Sequence, residues 1–430
     1  RAAALSERLA TYLWDAGDEA GALTAAAAAV DLMPAQPASR ERAALLASRA
    51  RLLMLANRDV EALDVCRSAL EVARATEAEH ELAGALITEA TLIGRSDPRR
   101  GVEMLEAARR LAEKLDDVVQ VLRADNNLCV ALDALRDFDR AQEVTARAIS
   151  LATKAGLERT NGLTFYVNAV AFAIWASRFS EAVSLAERAI AIGGTGDLLV
   201  FAQAARGAAL IGLGELSSAL DAFADARRAA PRGMTPDTMA DLIKDEALAL
   251  WWLGRPEEAL ARLDEAPAGD GVGPLLRVIC QVYRAMIEAS LTQAARLAGD
   301  TRGRDTHLAG LVAAADGARS TAREATRADG SIPWPMRIQL ALLPGETARA
   351  GGVGEPAAWA AVAEEEADVG DVYYEAYARW RHAEALAAEG SRSAAVKAAI
   401  RRARLVAERA EAGGIVRELD ALDATLVSAG

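Results

Sequence analysis

The feature that most constrains this chain is a recurrence. An apolar helical run, a short turn often holding Gly, and a small residue opening a second amphipathic run return about every forty residues. The clearest copies run from Trp14 to Ala20, Asn57 to Leu63, Arg136 to Ala141, Ser177 to Val183, Gly214 to Leu220 and Gly254 to Leu260, with a weaker one from Gly390 to Val396. Taking Ala20, Ala62, Gly101, Ala141, Ala182, Ala219 and Ala259 as equivalent gives spacings of 42, 39, 40, 41, 37 and 40 residues. A chain of 430 residues would ordinarily divide into two or three globules; a sustained period instead predicts a quasi-linear array.

Each part of the repeat has a physical reason. Gly after a helical run supplies the left-handed conformation that ends the first helix, and the Asp, Ser or Pro that follows favours the start of the second. The small residue lets the two helices approach closely, while larger aliphatic residues behind it bury one stripe. Over 182–192, for example, Leu185, Ala189, Ile190 and Ile192 alternate with Glu181, Glu187 and Arg188. Two such helices cannot bury both their faces alone, so each pair must lean on its neighbours.

The pattern predicts about ten helix pairs, at 1–32, 38–76, 78–115, 118–155, 159–193, 196–229, 235–265, 273–328, 333–369 and 371–412, with a closing helix over 415–428. Some twenty helices, each about 8–10 Å from the next, imply a contour of roughly 200 Å that must curl into an arc or superhelix with a concave face. The segments 266–274 and 328–335 read as the nearest things to linkers. Between them the helices look long, and the turn at 299–305 has no small marker, so this stretch is an elongated repeat or a seam between two sub-arrays, the former favoured because periodicity resumes in phase. The expected organisation is regular repeats over 1–265, an atypical repeat over 266–332, and C-terminal repeats with the closing helix over 333–430, all in one continuous superhelix.

Composition narrows the function. With 49 Lys+Arg against 62 Asp+Glu the net charge is −13, which argues against a nucleic-acid clamp, since phosphate contacts need a dense cationic face. Cys66, Cys129 and Cys280 are widely spaced and suggest neither a disulfide framework nor a zinc site, so a reducing, cytoplasmic compartment is expected. Apolar stretches such as 25–30 fall well short of a membrane span. The chain opens at Arg1, without Met, directly on a helical pattern, and is expected to be a fragment of a longer protein.

Catalytic chemistry finds little footing. The four lysines follow Glu113, Thr153, Ile243 and Val396, so no Gly-Lys phosphate loop exists, and the Gly352-Val353-Gly354 sequence lies between two helices with no preceding strand. His80, His307 and His382 are too far apart to suggest a ligand ladder, and there is no GxSxG. Acidic runs such as Glu364, Glu365 and Glu366 fit solvated helix faces. No catalytic residue, metal or cofactor is expected.

A binding surface remains. The first helices of the pairs are expected to line the concave face, and several carry polar or indole groups. Asn126 and Asn127 follow Asp125 on one; Asn161, Asn168 and Trp175 recur every seven residues on the next, on one predicted face. Gln203 and Arg206 follow in the sixth pair, Lys244, Trp251 and Trp252 in the seventh, and Arg277, Gln281 and Arg284 in the eighth. Amides, guanidinium groups and indoles suit a peptide, a sugar or another polar ligand. The same residues would equally serve as helix-to-helix wedges and backbone caps, and Tyr373, Tyr374, Tyr377 and Trp380, at spacings of three and four, read as a packed helix face.

Turns such as LGRPEEAL at 253–260 and FSEA at 179–182 resemble tetratricopeptide-like repeats. Phrases such as EALDVCRSALEVAR at 61–74 and YARWRHAEAL at 377–386 resemble the helical region of actinobacterial large ATP-binding regulators of the LuxR family. The resemblance implies an all-α, tetratricopeptide-like helix-pair solenoid wound as a right-handed superhelix. It also implies a sensor arm lying between an ATPase and a DNA-binding helix-turn-helix, with ATP bound only on the former. Neither domain is represented among these residues, and no ATP- or DNA-contacting residue can be carried over.

The expected function is therefore a non-catalytic sensor in which a small molecule, a peptide inducer or a regulatory protein occupies the concave groove, with no direct contact to nucleic acid or membrane and homo-oligomerisation possible in the full-length protein. The rivals are a stand-alone protein-interaction scaffold and, further off, an enzyme with a site in the groove near 273–335.

Overall fold

The computed structural model describes residues 1–193, 197–230, 234–267, 269, 271–326, 330–352, 355–390 and 393–428. Parts of both expected linkers, of the Gly352-Val353-Gly354 sequence and of the last turn copy (Ser391, Arg392) lie outside the described residues. Among the described residues the fold is all-α: twenty-one α-helices and one π-helical turn, without strands. Ten pairs and a closing helix stand where the periodicity puts them. Two compact units, Arg1–Ala169 and Val170–Gly430, divide inside one helix.

The first unit holds α1 (Ala2–Asp15), α2 (Glu19–Asp31), α3 (Arg40–Leu55), α4 (Asp59–Ala75), α5 (Glu79–Ser96), α6 (Pro98–Lys114), α7 (Val118–Leu135), α8 (Phe138–Lys154), the π-turn Glu158–Gly162 and the start of α9 (Leu163–Trp175). In the second, α10 (Phe179–Ile192), α11 (Asp197–Leu213), α12 (Leu216–Ala229), α13 (Pro236–Trp252) and α14 (Pro256–Asp264) continue the regular pairs. They are followed by α15 (Pro274–Leu297) and α16 (Thr301–Glu324), α17 (Trp334–Gly351), α18 (Pro356–Val369), α19 (Val372–Ala388), α20 (Ser393–Arg409) and α21 (Gly413–Ser428). The pair α15 and α16 has 24 residues in each helix, longer than any other described helix, and α15 packs on α13, α14, α16 and α17.

One turn geometry joins the regular pairs. Gly17, Asn57, Arg136, Ser177, Gly214 and Gly254 all have φ between 55° and 83°. The next amide then reaches back five residues, as in Arg58 N to Leu53 O at 2.9 Å, Asp137 N to Leu132 O at 3.0 Å and Arg255 N to Leu250 O at 3.0 Å, closing a Schellman motif. Arg136 and Ser177 are neither Gly nor Asn, so there the left-handed conformation is imposed by the tertiary fold against a local preference of about 1–2 kcal/mol. Five residues beyond each lies a wholly buried alanine: Ala22, Ala62, Ala141, Ala182, Ala219 and Ala259. The first copy is thereby corrected: Ala20 is exposed, and Ala22 is the residue that faces the partner helix.

The third pair uses a tighter device. Asp97 caps α6, accepting from Arg100 N at 3.1 Å, and Gly101 lies so close to Gly94 on α5 that a Cβ at Gly101 would stand 2.5 Å from the Gly94 Cα. Inside the first unit, Asp125 is a buried ion-pair partner. Its carboxylate is fully buried and takes Arg147 at 2.7 Å, with Arg109 at 3.7 Å. Burial raises its pKa, and Arg147 works in the opposite direction.

Unit two curls until it meets itself. Ser180 N at the start of α10 donates to Glu411 Oε2 at 2.6 Å, and Arg417 on α21 donates to the Gly214 carbonyl at 2.7 Å. Trp252 stacks on Trp380 with ring centroids 5.6 Å apart, and Phe179 meets Tyr373 edge-on, also at 5.6 Å.

Two outcomes follow. Gly101→Ala forces two helix backbones apart and is expected to lower stability by about 1–3 kcal/mol, read as a lower urea midpoint. Glu77, exposed and held at φ 51°, is relieved of strain in Glu77→Gly, which is expected to gain about 0.5–1 kcal/mol after the added freedom of the unfolded chain is deducted.

Candidate functional site

The closure of unit two forms a half-open cavity of about 230 Å³. Seven helices contribute to its wall, α9, α10, α11, α13, α15, α17 and α19, of which six are first helices of their pairs. An aromatic side is built by Trp175 from α9, Phe179 from α10, Tyr283 from α15, and Tyr373 and Tyr374 from α19. Gly212 keeps α11 bare so that the Phe179 ring can lie against it; a Cβ there would come within 2.5 Å of the ring. Trp175 also meets Trp334 edge-on at 5.2 Å.

The polar side comes mainly from α13. Lys244 Nζ lies 3.0 Å from Asp241 Oδ1 and 2.8 Å from Asp245 Oδ1, with the Lys244 and Asp245 side chains each only 11% exposed. Burial disfavours the Lys244 ammonium, but the two carboxylates outweigh it and raise its pKa. Burial pushes the Asp245 carboxyl up to about 6, with Asp241 and Glu246 adding to the rise and Lys244 opposing it. The triad carries two carboxylates and one ammonium, a net charge of −1 when all are ionised.

Two further groups complete the wall. The Tyr283 and Tyr374 hydroxyls are 2.9 Å apart, and burial raises both phenols. Gln339 on α17 is 2% exposed, and its side chain hydrogen-bonds that of Tyr374. Asp371, which also lines the cavity, caps α19 by accepting from Tyr374 N at 2.9 Å.

Of the residues singled out from sequence, Trp175 and Lys244 meet in this cavity. Trp251 and Trp252, two turns beyond Lys244, belong to a buried hub. Trp251 Nε1 donates to Ser290 Oγ at 2.9 Å, and Arg381 lies over the Trp380 ring at 3.8 Å and over Trp251 at 5.8 Å. Tyr377, in the same hub, donates to buried Glu346, and Tyr374, Tyr377 and Trp380 are buried as a packed face. Arg284 pairs with Asp264 at 2.5 Å, Gln281 lies against Gly317 on α16, and Arg206 faces Glu187 at 3.6 Å, while Gln203 is half-buried on α11.

In the first unit Asn168 Nδ2 donates to Asn126 Oδ1 at 3.2 Å, with half-buried Asn127 beside Asn126 in the chain. Asn161 accepts from Thr160 Oγ1 at 3.1 Å. It sits in the π-turn, where Gly162 N reaches Leu157 O at 3.1 Å, so the seven-residue register expected from Asn161 onward is broken at its first member.

Asp241, Asp245, Tyr283, Gln339 and Tyr374 were not singled out as ligand groups. For the first two a signal existed: an Asp-x-x-Lys-Asp cluster on a first helix that is otherwise largely apolar. Elsewhere, His80 pairs with Asp117 at 3.0 Å and His307 with Glu288 at 2.7 Å, and among the described residues no His, Cys, Asp and Glu group could hold a metal ion. Burial pushes Cys66 and Cys129 up to about 12 and Cys280 up to about 11, far from thiolate character at neutral pH.

No family model and no curated protein matches the chain. Among solved structures it is similar to a Rap protein complexed with competence and sporulation factor, at 12% identity over 91% of this chain and 99% of that chain, with a TM-score of 0.55. It is also similar to a tetratricopeptide repeat protein from Parabacteroides merdae, at 14% identity over 80% of this chain and 99% of that chain, with a TM-score of 0.31. The fold is thus an all-α helix-pair solenoid of tetratricopeptide type. No helix among the described residues is long and apolar enough to cross a membrane.

The tyrosine pair gives a direct test of the cavity wall. Tyr283→Phe and Tyr374→Phe each strand a buried hydroxyl and are expected to cost about 1–3 kcal/mol, whereas the double variant costs less than their sum, measured by urea denaturation. The buried Cys66 and Cys129 thiols are expected to react with Ellman's reagent at pH 8 only after the chain is unfolded.

Proposed function

We propose that this chain is a non-catalytic recognition scaffold, the ligand- or protein-sensing arm of a multidomain transcription regulator, and that its second unit holds the ligand in the cavity between α9–α11, α13 and α19. The observation that carries the reading is the cavity wall itself. It joins Trp175 and Phe179 to Tyr373 and Tyr374, residues nearly two hundred positions apart, around the charged group of Asp241, Lys244 and Asp245. A wall of rings with few, placed polar groups is the usual constitution of a ligand site.

The cavity also gives the ligand a way to act. Its occupant touches both ends of the curl and favours the closed arrangement of unit two over one in which α19–α21 have moved off α10–α13. It can shift that balance only by its differential affinity for the two states. In the regulator reading, that change is passed to an ATPase and a helix-turn-helix elsewhere in the same protein, as the resemblance of the 61–74 and 377–386 phrases implies.

A stand-alone scaffold is the second reading. The Rap structure supports it, since that chain is matched over 99% of its length by this fold and was solved with a competence and sporulation factor bound. The reading frame on either side of the coding segment separates the two: an upstream phosphate loop with a downstream helix-turn-helix favours the regulator.

Hydrogen exchange tests the shared core of both readings. A ligand found by thermal-shift screening of peptides and metabolites is expected to slow exchange at 174–180 and 371–377 together. Protection confined to other helices would remove the cavity from the recognition mechanism.

A further inference from the structure

Deepening that reading, and resting on it, the geometry points to the chemical class of the ligand: we infer that the unit-two cavity receives a monocationic nitrogen group, a guanidinium or an ammonium, on an otherwise apolar stem. Two independent features of the wall converge on this.

The first is charge. Asp241, Lys244 and Asp245 leave one negative charge uncompensated within the triad, and the lysine ammonium is already held between the two carboxylates at 3.0 and 2.8 Å. The triad therefore has acceptor capacity to spare and little free donor capacity. An anionic ligand would meet that net charge in a poorly solvated space, where repulsion is weakly screened.

The second is the aromatic side. Trp175, Tyr283, Tyr373 and Tyr374 bring π-faces or edges to the same space, and aromatic faces attract cations most strongly where water is scarce. The protein uses the same chemistry in its own hub, where the Arg381 guanidinium lies 3.8 Å from the Trp380 ring centre. An apolar stem fits against Ile174, Leu248 and Ile279. A cavity of about 230 Å³ admits one side chain or a small amine and excludes a folded domain.

The test uses the full 430-residue chain and four probes in calorimetry, with tryptophan fluorescence in parallel. N-acetylarginine amide and butylguanidine carry the cation. N-acetylcitrulline amide keeps the shape of the first without charge, and N-acetylglutamate amide is anionic. Saturable binding of a guanidinium probe, at least about tenfold tighter than the citrulline isostere, is expected. A preference for N-acetylarginine amide over butylguanidine identifies a peptide side chain as the source of the cation; equal or tighter binding of butylguanidine identifies a free alkylguanidine.

Two variants read the electrostatics in opposite directions. Asp241→Asn, at a part-exposed position, is expected to weaken the guanidinium probe about tenfold while circular dichroism stays unchanged. Lys244→Met raises the net negative charge of the triad and is expected to tighten binding. Trp175→Phe is expected to remove most of the fluorescence change with binding retained.

Equal or tighter binding of the citrulline or glutamate probe overturns the cationic assignment while leaving the cavity as a ligand site. An Asp241→Asn variant that folds and binds the guanidinium as before overturns it too. If no probe binds, the assignment falls, whereas the sensor reading falls only if exchange at 174–180 and 371–377 also fails to respond to every ligand in the screen.

Discussion

Close approach of two helices directly after a left-handed turn is the constraint on which the rest of this structure depends. The positive-φ residue reverses the chain, the Schellman hydrogen bond locks the reversal, and five residues later an alanine with no exposed surface lets the second helix settle on the first. An alanine side chain has no rotamers to lose and little volume to accommodate, so the contact forms at low entropic cost. Because each pair still exposes an apolar stripe, stacking of the next pair is obligatory and the array extends itself.

In unit two the stacking has a consequence that no single pair contains. Successive small rotations bring α19–α21 back to α10–α13, where polar contacts between backbone and side chain, Ser180 to Glu411 and Gly214 to Arg417, pin the meeting. What would have been an open inner wall is divided into a hub around Trp251, Tyr377, Trp380 and Arg381 and, beside it, the cavity. Hub and cavity share α13 and α19 but differ in charge. In the hub Arg381 has Tyr377, Glu384 and the rings for partners; in the cavity two carboxylates share the one Lys244 ammonium.

The helix pairs were legible because their determinants are local. Gly17, Gly214 and Gly254 mark turns outright, and Pro256 and Asp137 mark the helix starts that follow. Arg136 and Ser177 show the limit of that logic: neither residue prefers a left-handed backbone, yet both adopt it because the flanking helices fix where the chain must reverse. The misplaced marker at Ala20 shows another, since alanine is so common near Ala22 that identity alone cannot choose between the two; only burial does. The candidate site was legible in part. Trp175 and Lys244 stood out as polar or indole groups on first helices, but Trp251 and Trp252 carried the same signal and went into the hub. Tyr374 stood out for packing and serves both packing and the cavity wall.

By itself, then, the sequence determined the repeating unit: helix lengths, turn positions, the small-residue contacts and the all-α class, because each of these is settled by interactions within about one repeat of forty residues. The tertiary structure alone decided which inner-face residues meet. Asp241, Gln339 and Tyr374 share a cavity because a small rotation per pair, accumulated over α10 to α19, closes unit two upon itself. That sum is sensitive to every intervening contact, so residues more than a hundred positions apart acquire a common chemistry that no local pattern encodes.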